Sequence, residues 1–178
     1  MNSTRIFFIL ACLSFNLSGQ VTSSTKNNGN LILEDIPPIP EEIVKELNRF
    51  QNVRSGSFRG FTNSGNELFI STRFGNVSQL HLVKTPGGAR KQITYFDEPI
   101  GSVTHQPDGE LIAFTMDSGG SENAQIFKLN PNDGSYKLLT DGKSRNGSPT
   151  WNKTGNQIAY RSNKRNGASN DVLSLIHI

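Results

Sequence analysis

The sequence predicts an all-β fold built from a repeated four-stranded unit, and three observations carry that expectation. Related turns recur at Asn63-Ser64-Gly65, Pro107-Asp108-Gly109 and Lys153-Thr154-Gly155, with their glycines 44 and then 46 residues apart. Other landmarks keep the longer interval: Gln79, Gln125 and Asp171; Gly88 and Gly134; Thr94 and Thr140. After each turn stands a continuous apolar triplet, Leu68-Phe69-Ile70, Ile112-Ala113-Phe114 and Ile158-Ala159-Tyr160. An unbroken triplet suits a strand buried on both faces of its sheet, as when sheets stack around an axis. A period of about 45 residues with four short strands is the size of one β-propeller blade. The expected architecture is therefore a partial β-propeller of about two and a half four-stranded blades, preceded by a signal peptide and a short helix.

Residues 1–19 read as a secretory signal peptide: Arg5, then the apolar stretch Ile6 to Leu13, then small and polar residues through Ser18-Gly19-Gln20. The stretch is too short for a comfortable permanent span, so no membrane span is expected. Cys12, the only cysteine, lies inside it, which leaves the rest of the chain without disulfides, thiolate metal sites or a cysteine nucleophile. Ile9-Leu10-Ala11-Cys12 loosely resembles a bacterial lipobox, and lipid anchoring at Cys12 is the less favoured alternative, because Leu10 is bulky for its position. Residues 20–35, rich in Ser, Thr, Asn and Gly, read as a flexible leader. In residues 36–53, Ile36-Pro37-Pro38-Ile39-Pro40 forces an extended chain. Pro40 then opens a helix of about ten residues, with Glu41 and Glu42 in its first turn. Ile39, Ile43, Val44, Leu47 and Phe50 share one helical face, which is expected to cover the first blade.

The blades are expected at about 54–101, 102–147 and 148–178. In each, an inner strand ends at the glycine turn, where Pro107 is preset for the bend and the glycine is free to take positive φ. The triplet forms the second strand. Gln79-Leu80-His81-Leu82-Val83 and Gln125-Ile126-Phe127-Lys128-Leu129 form the third, and the fourth ends at Ile93-Thr94 and Leu139-Thr140. Val172 falls on the Ile126 position, so Val172 to Ile178 partly fits a third strand; beyond it the run lacks the turn residues of the other blades. A closed ring of four to eight blades needs roughly 180 to 360 residues. Only 125 follow the leader and helix. The expectation is a fragment whose open blades aggregate or stay partly unfolded alone.

Composition narrows the function. Hydrophobic content of 34% with 11 Phe is globular, and a net charge of +3 is spread singly among acids, with no basic stripe or stacking platform. Nucleic acid is not an expected partner. His81, His105 and His177 are isolated, and no P-loop, no H-E-x-x-H spacing and no G-x-S-x-G elbow occurs; Gly142-Lys143-Ser144-Arg145-Asn146-Gly147 is one residue too long. The loops Asp117 to Asn123 and Asn163 to Gly167 could line a binding face, with a solvated hairpin connection as the default. Asp97, Glu98 and Asp133 fall in turns, where carboxylates stabilise local backbone. Asn76-Val77-Ser78 and Asn152-Lys153-Thr154 are sequons that matter only in a glycosylating host. No catalytic, cofactor-binding or metal-binding residue is assigned, and no cofactor is expected.

Certain stretches are more specific than the repeat. Ile36 to Pro40, Thr72-Arg73-Phe74-Gly75-Asn76, Pro86 to Pro99, Leu139 to Asn146 and Arg161 to Gly167 together resemble the N-terminal propeller of bacterial exported serine peptidases of the prolyl oligopeptidase family. The likeness spans about residues 36–172, and the generic repeat is shared with the periplasmic protein TolB. The resemblance implies a periplasmic or extracellular enzyme whose C-terminal α/β-hydrolase domain carries a Ser, Asp and His triad. It also implies that the propeller restricts entry to a peptide substrate. None of the triad positions lies in this chain, so the chain alone is expected to be inactive. A TolB-like binding propeller without catalysis is the alternative.

Overall fold

From Gly56 onward three antiparallel sheets follow one another along the chain in the computed structural model, which describes residues 21–176. The first is β3 (Gly56–Phe61), β4 (Leu68–Thr72), β5 (Gln79–Val83) and β6 (Arg90–Gln92). The second is β7 (Ile100–His105), β8 (Ile112–Met116), β9 (Gln125–Leu129) and β10 (Tyr136–Leu138). The third is β11 (Asn146–Trp151), β12 (Gln157–Ser162) and β13 (Asp171–Ile176). Strands are paired in chain order within each sheet, so every sheet is a simple meander. The third sheet thus shows three strands among the described residues; β13 pairs with β12 from Asp171 opposite Ser162 to Ile176 opposite Gln157. The expected signal peptide, Cys12 and His177 lie outside the described residues.

The sheets stack face to face, and alternation along each strand decides which neighbour a side chain meets. Between blades 1 and 2, Phe69 and Leu80 of the first pack against Ile100, Ile112, Phe114 and Leu129 of the second. Between blades 2 and 3, Ala113 packs against Trp151 and Ile158. In β8, therefore, Ile112 and Phe114 look back while Ala113 looks forward, and all three are buried. Each such buried Ile or Phe contributes about 1.5–3 kcal/mol relative to an exposed one.

The interval of 46 has a bonding reason. Thr94 Oγ1 accepts from Leu80 N at 2.9 Å and donates to Gln79 Oε1 at 2.8 Å. That oxygen also accepts from Phe96 N, while Gln79 Nε2 donates to the carbonyls of Phe96 and Glu98. In the next blade Thr140 Oγ1 accepts from Ile126 N and donates to Gln125 Oε1, which takes Gly142 N, and Gln125 Nε2 donates to Ser144 O. The pair ties each third strand to the chain leaving the fourth strand. Buried amides need all these partners, which is why the same two residue types recur at the same two positions. In blade 3 the position belongs to Asp171, which instead receives Arg165 Nε at 2.8 Å.

The inner turns are also linked in series. Asn63 Nδ2 donates to Gly109 O, and Gln106 Nε2 to Gly155 O at 2.7 Å. Gly65 and Gly155 take the expected positive φ, at 73° and 67°. The middle turn differs from expectation: Asp108 takes φ 52° and Gly109 does not, because Asp tolerates the left-handed region.

Two expectations for the N-terminal half are corrected. Residues 20–35 include a hairpin, β1 (Ser23–Lys26) paired with β2 (Leu31–Glu34), instead of a structureless leader. Asn27, Asn28 and Gly29 all adopt positive φ at its tip, a turn that residue composition averages away. Asn30 Nδ2 ties the hairpin to blade 2 through Gly119 O at 3.0 Å. The helix forms as expected, α1 (Glu41–Gln51) behind Pro40, but buries no residue. Ile39, Ile43, Val44, Leu47 and Phe50 are all exposed, so α1 does not cover blade 1. Its fixed point is the C-terminal end, where Gln51 O accepts from Arg73 Nη2.

Candidate functional site

A meander places its turns alternately at two rims. One rim carries the glycine turns and the bends between third and fourth strands. The other carries the loops between second and third strands together with the links from blade to blade, and there the two polar loops singled out in the sequence are found. Asp117 Oδ1 accepts from Ser118 N at 2.6 Å and Ser121 Oγ at 2.5 Å, and its Oδ2 accepts from Glu122 N at 2.9 Å. Burial works to raise its pKa, but these donors outweigh it and hold the carboxyl below its ordinary value. Asp141 accepts from Lys143 N, Ser144 N and Ser144 Oγ. The Ser144 hydroxyl and amide lead in lowering its pKa to about 2, with Lys143 N and the Lys164 ammonium adding to them. Asn163, at the start of the second loop, accepts from Arg145 N and donates to Gly167 O. Glu98 accepts from Gly119 N at 2.6 Å. On the opposite rim Asp133 accepts from Ser135 N and Asn130 Nδ2. Each of these carboxylates accepts from at least one backbone amide.

The described histidines are held apart from such chemistry. His81 is buried, its Nδ1 beside Gln79 O at 3.0 Å and its Nε2 without a partner. Burial chiefly lowers its pKa, and the Arg90 guanidinium adds to this, so the ring is neutral at pH 7. His105 Nε2 meets Arg59 O at 2.8 Å, and its ring stacks on Phe69 across the blade 1–2 boundary. It lies so close to Gly60 that a Cβ there would meet Nε2 at 2.3 Å. Among the described residues no three His, Cys, Asp or Glu groups gather as a metal site, and no helix is long and apolar enough to cross a membrane. Of the sequons, Asn76 is exposed, whereas Asn152 is engaged in its own turn, donating to Thr154 and Asn156.

Three clefts lie between blades 1 and 2. The outermost, about 440 Å³, is walled by Lys91, Tyr95, Phe96 and Tyr136, the last two rings meeting edge to face at 4.9 Å. One of about 260 Å³ on the glycine-turn rim is lined by Asn63, Glu67, His105 and Glu110. The third, about 380 Å³, brings together Arg59 and Arg73 with serine hydroxyls. Sequence reading counts these arginines among scattered surface charges. Only strand pairing, which sets Gly56 opposite Thr72 and Phe58 opposite Ile70, reveals that they share a wall.

Known proteins bear on the stack of sheets. The chain superimposes on a protein described as TolB from Agrobacterium tumefaciens with a TM-score of 0.55, at 16% identity, covering 68% of this chain and 46% of that one. It matches a prolyl endopeptidase structure, also with a TM-score of 0.55, at 13% identity over 87% of this chain and 29% of the other. The sheets are propeller blades. No protein-family model matches the chain. In sequence it is 23% identical to the uncharacterized peptidase YuxL of Bacillus subtilis, in an alignment that covers 53% of this chain and 20% of the relative. The chain thus spans a fifth of its curated relative and less than half of either solved neighbour. What these likenesses show is the fold, a partial β-propeller.

Proposed function

We propose that this chain is the N-terminal propeller of an exported serine peptidase. In this reading the propeller controls access of short peptides to an α/β-hydrolase domain that this sequence does not contain. The observation that carries the reading is the sequence likeness to YuxL, an uncharacterized peptidase, together with a prolyl endopeptidase structure that matches 87% of the chain. On the loop rim the carboxylates of Glu98, Asp117 and Asp141 accept from backbone amides, which fits a rim whose loops are held in shape. The peptide substrate and the catalytic domain are the partners of this reading, and residues 1–19 are its export signal.

The second reading, a TolB-like periplasmic binding propeller, is favoured by the Agrobacterium structure, of which the chain covers the larger share. Sequencing the gene downstream of the Ile178 codon separates the two. A G-x-S-x-G between a strand and a helix, with Asp and His further on, supports the peptidase; more blades and then a stop codon support the binding protein. For the peptidase, the full-length enzyme cleaves short peptides and this chain alone cleaves none. Deleting the propeller admits larger substrates. Unchanged size selectivity after that deletion contradicts gating.

A further inference from the structure

Arg59 is the residue that the blade 1 ladder leaves out. Phe58 pairs with Ile70 and Gly60 pairs with Phe69, so Arg59 stands in a one-residue bulge. Bulges bend a strand and re-aim a side chain. Here the side chain joins the wall of the 380 Å³ pocket between blades 1 and 2, together with Arg73 and the hydroxyls of Ser55, Ser57, Ser71 and Ser78. Among the described residues no Asp or Glu lines that pocket. Glu98, whose neighbour Pro99 does line it, is engaged by Gly119 N.

The guanidinium is incompletely satisfied. Arg59 Nε is buried and has no hydrogen-bond partner, a costly state for a group that stays charged and donates at every nitrogen. Arg73 spends one nitrogen on Gln51 O at the end of α1. On its other side Arg73 also lines a groove of about 390 Å³ shared with Arg54, whose guanidinium lies 5.0 Å from the Phe74 ring centre; no carboxylate lines that groove either. Two arginines and four serines on one pocket, with no acidic residue among its described lining, supply the donor chemistry that suits a small oxyanion.

We propose that the pocket between blades 1 and 2 is an oxyanion-binding site, in which Arg59 and Arg73 clamp a carboxylate or phosphate group and the pocket serines supply further donors. The site stands on the arginines and the bulge alone, so it holds under either reading of the chain's function. A carboxylate would come from the end or an acidic side chain of a peptide, and a phosphate from a small phosphorylated metabolite.

The test titrates the chain with an acetylated dipeptide free acid, the same dipeptide as its C-terminal amide, and inorganic phosphate, reading the arginine Nε–H signals by ¹⁵N NMR. Saturable shifts are expected with the free acid, with phosphate or with both, and none with the amide; the anion that saturates at lower concentration identifies the source. Arg59→Gln and Arg73→Gln are each expected to weaken binding about tenfold, the loss of one charge-assisted contact. The backbone signals of β8 and β9 report whether each variant keeps the fold, and the comparison of acid with amide needs no variant. Equal response to acid and amide, no response to either anion, or undiminished binding in both variants overturns the proposal.

Discussion

One position in three blades separates the middle of the stack from its ends. Leu80, Ile126 and Val172 are spaced by 46 residues, sit second in their third strands, and look toward the following blade. Leu80 and Ile126 are each 0% exposed, while Val172 is 83% exposed. The second strands say the same: Phe69 and Ala113 are buried, and Ala159 is exposed. At the other end Phe61 is 57% exposed, whereas its counterpart Trp151 is 8% exposed. The residue types are alike at all these places, so what differs is the neighbour. A blade is written for burial on two faces and achieves it only between two others. The uncovered face of α1 belongs to the same class: apolar side chains with nothing of the described chain laid against them.

That contrast can be broken most forcefully at the position itself. Leu80→Ala and Ile126→Ala are expected to destabilise by about 2–5 kcal/mol each, because both leave cavities in closed interfaces. Val172→Ala is expected to change stability by less than about 0.5 kcal/mol. Urea midpoints of the three variants, at matched denaturant slopes, measure the difference; comparable losses at Ile126 and Val172 would remove the basis for distinguishing inner from outer blades.

A smaller effect sharpens it in polar terms. Gln125→Ala strips the acceptor from Thr140 Oγ1 and Gly142 N and the donor from Ser144 O, and should destabilise by about 1–3 kcal/mol. Asp171→Ala, at the equivalent place, removes one exposed ion pair and should destabilise by at most about 1 kcal/mol. The same denaturation series checks both. The smallest effect is electrostatic. Asp141 has a folded pKa of about 2 against an ordinary 3.8. A carboxyl lowered in this way stabilises the fold above its unfolded pKa and loses that contribution as pH falls through the folded one. The stability difference between the parent chain and Asp141→Asn should therefore be constant near neutrality and shrink between about pH 4 and pH 2. A difference that grows on acidification would reverse the assigned role.

The repeat was legible in the sequence because its markers are residues with narrow uses. Gly65 and Gly155 sit where φ is positive, and Gln79 with Thr94 and Gln125 with Thr140 close the same bonded circuit. Third strands were readable to the residue, since Gln79–Val83 and Gln125–Leu129 begin on those circuit residues. Other features depend on information that periodicity does not carry. The apolar face of α1 specifies that something should cover it, not that blade 1 does. The hairpin at residues 23–34 rests on three consecutive left-handed residues, Asn27 to Gly29, hidden inside a polar stretch. Arg59 stands at a bulge in β3 and Arg73 directly follows β4, 14 residues away, and no motif marks the pocket that the two line together.

Among the described residues the middle blade alone has a blade packed on each face, and amide hydrogen exchange of the dilute protein tests this directly. The slowest exchange is expected in β8 and β9, with β12 and β13 opening at clearly lower free energy although their ladder is fully paired. Equal protection across β8, β9, β12 and β13, or stronger protection in the third sheet, would contradict it.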